Sequence, residues 1–91
     1  MEIDIKVTYR NDKLKAMREA AGFSQSQFAT ATGITVKNVQ NYEQGKRDLN
    51  GAKLATILKF CATLSCRMED VLTDPDTLDL LAAYEVAERN G

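Results

Sequence analysis

The spacing of apolar residues changes along this chain, and each change predicts an element. Residues 1–9 alternate, with Ile3, Ile5, Val7 and Tyr9 apolar and Glu2, Asp4, Lys6 and Thr8 polar, the period of a half-buried β-strand. From Asn11 the spacing lengthens to that of a helix. Asn11 is placed to cap it, Leu14, Met17 and Ala21 form its buried stripe, and Gly22 closes it. Ser24 and Gln27 then make a capping box, and Phe23 and Phe28 occupy the two positions of a hydrophobic staple around it. That second helix must stop at Gly33, where a left-handed residue is needed. Thr35 caps a third helix, with Ile34 and Val39 as its own staple. A fourth helix is predicted over about residues 52–64, carrying Leu54, Ile57, Leu58, Cys61 and Leu64 on one side. A short fifth helix brings in Met68, Val71 and Leu72. Asp74 and Pro75 then cap and open a last helix to about residue 89, which presents Leu78, Leu81 and Ala82, with Leu80 and Tyr84 beside them.

Two short helices joined at one glycine, each with its own cap and staple, read as a helix-turn-helix. Ala29 is the small residue that lets the second helix of the pair approach closely, and Val39 and Tyr42 are that helix's inward residues. Val36, Lys37, Gln40, Asn41 and Gln44 share the opposite face. It offers hydrogen-bonding groups, one cation and a methyl-bearing residue at its N-terminal end, a set suited to base edges in a DNA major groove. The competing reading of that face is an ordinary solvated helix surface, and the turn in front of it favours DNA.

With these residues in place, residues 14–72 resemble the helix-turn-helix domain of the phage repressor and Cro family, also called the xenobiotic-response-element family. The likeness rests on Arg18, on Ser24-Gln25 with Phe28-Ala29, on Gly33-Ile34-Thr35, and on residues 42–47, Tyr-Glu-Gln-Gly-Lys-Arg. It implies that Gln25 touches a phosphate, that Val36, Lys37, Gln40 and Asn41 face bases, and that Thr35, Asn38, Lys46 and Arg47 grip the DNA backbone. It also implies an ion pair between Arg18 and Glu43, where the residues alone leave open a solvent-facing arginine with a snorkelling stem. The chain departs from the family's usual pattern at Phe28, where leucine is common, and in having no proline near Ala52; neither departure touches the DNA face.

A net charge of −1 and a pI near 5.3 sit oddly with DNA binding until the charges are placed. Residues 10–59 hold nine cations against four anions, a net of +5, whereas residues 60–91 hold two cations against seven anions. The positive charge therefore lies with the motif. Two cysteines and no histidine make a zinc site within one chain unfavourable, and Cys61 and Cys66 fall at core positions, where a thiol behaves as a small hydrophobe. There is no Gly-rich phosphate loop and no paired carboxylates, so neither an enzyme nor a cofactor or metal is expected. No apolar run approaches membrane-spanning length and the first residues do not form a signal peptide, which points to the cytoplasm.

The sequence thus predicts an all-α fold: a five-helix repressor-like helix-turn-helix domain over residues 10–73, with an added N-terminal β-strand over 1–9 and a C-terminal helix over 74–91. The expected function is that of a sequence-specific regulator of double-stranded DNA, a repressor acting as a homodimer on a palindromic operator. A lone strand leaves its backbone edges unpaired, and the same segment of a second copy is the nearest partner. Ile3, Ile5, Val7 and Tyr9 would then dimerise under cover of Leu78, Leu81 and Tyr84. Two alternatives stand beside this: an antitoxin that binds a toxin partner and its own promoter, and a protein-interaction module that has lost DNA binding.

Overall fold

The computed structural model describes residues 9–90, with the side chain of residue 90 left aside. Its elements run α1 (Asp12–Ala20), α2 (Gln25–Thr32), α3 (Val36–Glu43), α4 (Leu54–Leu64), a single 3-10 turn (Met68–Asp70) and α5 (Pro75–Asn90). Two parts of the expected fold are corrected. The described residues hold five α-helices in all, because the predicted fifth helix tightens into the 3-10 turn and the predicted sixth is α5. They hold no strand, so the added N-terminal β-strand is withdrawn. Tyr9 is the one described residue of that segment, and its N–H donates to Gly45 O at 2.8 Å rather than to a strand partner. Residues 1–8, with Ile3, Ile5 and Val7, lie outside the described residues.

The turn between α2 and α3 forms as the local chemistry dictates. Ser24 Oγ accepts from Gln27 N at 3.1 Å while Ser24 N donates to Gln27 Oε1 at 2.9 Å, and the rings of Phe23 and Phe28 meet with centroids 5.8 Å apart. Gly33 ends α2 in the left-handed region at φ 74°, its N–H donating to Ala29 O at 2.9 Å. Thr35 Oγ1 then accepts from Asn38 N at 3.2 Å and starts α3. A Cβ built on Gly33 would meet no atom within 4 Å, so a substitution there is opposed by backbone conformation and not by crowding. Gly33→Ala is therefore expected to cost about 1–2 kcal/mol, seen as a lowered thermal midpoint, with Gly33→Asn costing less. A loss below about 0.5 kcal/mol would mean that this residue is free to leave the left-handed region.

The core lies where α1, α2, α3 and α4 converge. Leu14, Phe28, Val39, Leu49 and Phe60 are fully buried, with Ala29, Tyr42, Ile57, Cys61, Val71 and Leu72 around them. Phe60 stacks on Phe28 (centroids 5.3 Å, interplanar angle 10°) and takes the edge of Tyr42 (5.9 Å, 86°), so one side chain of α4 backs both helices of the motif. The face of α4 differs from the one expected: Ile57, Phe60 and Cys61 point inward, whereas Leu54 and Leu58 are exposed.

Helix α4 ends in a Schellman motif. Ser65 is left-handed (φ 52°), Cys66 N donates to Cys61 O at 3.0 Å and Ser65 N to Ala62 O at 3.4 Å, so the two cysteines take the pair of positions whose side chains meet in that motif. Burial, with Cys66 alongside, pushes the Cys61 thiol up to about 12, and burial raises Cys66 as well. Both are neutral thiols, not poised nucleophiles. Asp74 caps α5, accepting from Thr77 N at 3.0 Å and from the Thr77 hydroxyl at 2.6 Å. Leu78 packs against the core, Leu81 is half-buried, and Leu80, Tyr84 and Val86 stand exposed. Among the described residues no helix is long and apolar enough to cross a membrane.

Candidate nucleic-acid interface

Burying Val39 and Tyr42 determines what α3 shows to solvent. Val36, Lys37 and Gln44 are exposed, and Asn38, Gln40 and Asn41 are half-buried along the same helix. Two polar anchors hold this helix to α1. Arg18 Nε donates to Glu43 Oε2 at 2.7 Å and Arg18 Nη2 to Glu43 Oε1 at 2.9 Å, while Arg18 Nη1 donates to Phe23 O at 2.6 Å. Both side chains are nearly inaccessible, 8% and 2% exposed, and the hydrogen bonds to Glu43 raise the Arg18 guanidinium further above its ordinary value.

The second anchor is Asn11, where a helix cap was expected. Its side chain caps nothing. Instead Nδ2 donates to Tyr42 O at 2.8 Å and Arg47 O at 2.6 Å, and Oδ1 accepts from Leu49 N at 3.4 Å. A carboxamide can satisfy both backbone donors and acceptors, and this one holds the loop after α3 against the start of α1. The same loop is closed from within, where Lys46 N and Arg47 N both donate to Asn41 O (2.8 and 3.2 Å). Lys46 and Arg47 are thereby presented at a cleft of about 700 Å³, which Thr35 and Asn38 line from α3 and Lys53 and Thr56 from α4. Lys53 and Thr56 were missed in the sequence. Lys53 is the N-cap residue of α4 and its side chain makes no cap bond, so a cation at an uncapped helix start was the available signal.

The basic residues near the motif differ in what already holds them. Lys13 is committed inward, its Nζ donating to Glu69 O and Leu72 O (3.1 and 2.9 Å); Arg10 pairs with Asp12, and Arg18 with Glu43. Among the described residues no carboxylate lies within ion-pair distance of Lys37, Lys46, Arg47 or Lys53. These four lie on α3 and around the cleft, a surface whose positive charge would suit an anionic partner such as a phosphate backbone. Gln25, at the first position of α2, is half-buried; its Nε2 donates to Glu43 Oε1 at 3.2 Å and its Oε1 accepts from Gln40 Nε2 at 3.3 Å.

Residues 13–77 match the family model of the Cro/C1-type HTH DNA-binding domain. The chain belongs to that family. Among solved structures, the crystal structure of the restriction-modification controller protein C.AhdI from Aeromonas hydrophila is similar, with a TM-score of 0.59 and 28% sequence identity over 66% of this chain and 86% of that one. No curated protein sequence matches. A Cro/C1-type domain makes duplex DNA the partner of this chain and makes the chain a DNA-binding transcriptional regulator.

Proposed function

We propose that this protein is a cytoplasmic repressor that binds a palindromic operator as a homodimer, with Val36, Lys37, Gln40 and Asn41 reading bases and Gln25, Thr35, Asn38, Lys46 and Arg47 holding the backbone. The observation that carries it is that Lys37, Lys46, Arg47 and Lys53, four of the cations without an acidic partner among the described residues, lie on α3 and around the cleft beside it, while Lys59 and Arg89, equally without one, stand apart on α4 and α5. Lys53 joins the backbone set from its place at the cleft. Occupying an operator is enough to repress, since a bound protein blocks access to the duplex. The dimer is supported by α5, which leaves Leu80 and Tyr84 exposed at 71% and 63%, four residues apart on one side of the helix. A two-fold pair would set two reading helices about one DNA turn (~34 Å) apart. The likeness to a controller protein is consistent with regulation by DNA occupancy.

The two sets of contacts should separate in a binding assay. Asn41→Ala is expected to relax the preference at one operator position, at about 1–3 kcal/mol, and to leave other positions unchanged. Arg47→Ala is expected to weaken binding to all duplexes alike and to lower the slope of affinity against salt by about one unit. Sites selected from random duplexes, followed by titrations at several salt concentrations, read both effects. Equal losses with unaltered preference in the two variants would show that neither residue has the role given to it.

A further inference from the structure

The buried ion pair reaches the DNA face through a chain of hydrogen bonds whose direction is fixed at its inner end. Glu43 accepts from Arg18 at both oxygens (2.7 and 2.9 Å). A carboxylate paired in this way has only lone pairs to offer a third group. Gln25 meets Glu43 Oε1 at 3.2 Å and must present its amino group there, because the reversed amide would set two acceptor oxygens against each other. With the Gln25 amide so oriented, its Oε1 faces Gln40, which must in turn present its own amino group, at 3.3 Å. The Oε1 of Gln40 is then left with no protein partner among the described residues.

We propose that Glu43, acting through Gln25, fixes the orientation of the Gln40 side-chain amide, so that Gln40 meets DNA with its carbonyl oxygen and reads an exocyclic amino group, on adenine or cytosine. This rests on the assignment of Gln40 to the base-reading face and says what that residue reads. A free glutamine is ambivalent, since rotating the amide by half a turn exchanges a donor for an acceptor, and guanine O6 or thymine O4 would serve it as well as an amine. Anchored at Nε2, Gln40 loses that choice. One N–H of its amino group stays available beside Oε1, so adenine, with an amine next to an acceptor at N7, is the base that satisfies both. Gln25 and Glu43 are positioning residues in this scheme. The second N–H of Gln25 remains free for a phosphate.

The test uses the full chain and duplex DNA. Sites are first selected from random duplexes with the wild type and with Gln40→Met, and the position whose preference the variant loses is the one Gln40 reads. There the wild type should favour its base about tenfold or more. Gln25→Met, an apolar side chain of similar length at a half-buried position, should reduce that preference to about twofold and leave the positions dependent on Lys37 and Asn41 unchanged, which a general weakening of the fold would not do. In a separate arm that needs no change at Gln25, deleting the exocyclic amine from the base at that position should cost the wild type about tenfold in affinity and Gln40→Met nothing. The proposal is overturned if Gln40→Met alters no single position, if the preference survives Gln25→Met in full, or if loss of the amine costs the wild type nothing. A wild type that selects a site and fails these arms overturns the amide orientation alone; a wild type that selects no site removes the DNA-binding assignment as well.

Discussion

Glu43→Ala is expected to destabilise the protein by on the order of 3–5 kcal/mol, the usual cost of leaving one member of a buried ion pair alone. The guanidinium of Arg18 stays charged at any accessible pH, so the substitution strands a cation that is 8% exposed, with Nε left without a partner and Nη2 with only the exposed Glu19 carboxylate at 3.8 Å. Domains of this kind are stable by only about 5–15 kcal/mol in total, so the variant should sit close to unfolding at 37 °C. Urea titration checks it: the midpoint should fall with little change in slope. The double variant Arg18→Met with Glu43→Leu should recover most of the loss, because replacing both charges by apolar groups of similar volume removes the stranded cation. A single-variant loss under about 1 kcal/mol would put this pair with screened surface pairs instead.

Phe60→Ala is expected to cost a further amount of the same order, about 3–5 kcal/mol, through the cavity it opens. Phe60 is wholly buried and touches the two aromatic residues that anchor α2 and α3, Phe28 by stacking and Tyr42 by its edge. Emptying that site removes the backing of both helices of the motif at once. DNA affinity should therefore fall along with stability, although Phe60 is buried and lies on neither of the surfaces proposed to meet DNA. Phe60→Leu, which refills much of the volume, should restore most of both. Thermal unfolding and a DNA titration of the two variants read the result; an alanine variant with wild-type stability would mean the surrounding side chains collapse into the gap.

The parts of the fold that were legible in the sequence are those whose causes are local. Ser24 with Gln27, Gly33 and Thr35 act on backbone groups within four residues, so their identity and spacing are enough to place the turn. The face of α4 is a different matter. This helix is apolar nearly all round, and two stripes share Ile57 and Cys61: one adds Leu54 and Leu58, the other Phe60. Periodicity cannot choose between them, and the choice is made by Phe28 across the core. Asn11 shows the same limit for polar groups. Its position before a helix suggests a cap, yet its partners lie 31 to 38 residues further on, and no local pattern marks such a bond. The alternation at residues 1–9 describes an extended chain with two faces, but a strand also needs a neighbour for its backbone, and Tyr9 donates to a loop. On the candidate site, the cation at Lys53 was overlooked because the motif's own residues end before it.

The Asn11 clamp has a kinetic meaning for the loop it holds. With Arg47 O, Leu49 N and Tyr42 O all tied to one side chain, and Lys46 N and Arg47 N tied to Asn41 O, the backbone of this segment is already in place before any ligand arrives. Docking then has no loop to immobilise and pays little ordering entropy, so encounter can proceed at a rate set by diffusion and charge instead of by a search among loop shapes.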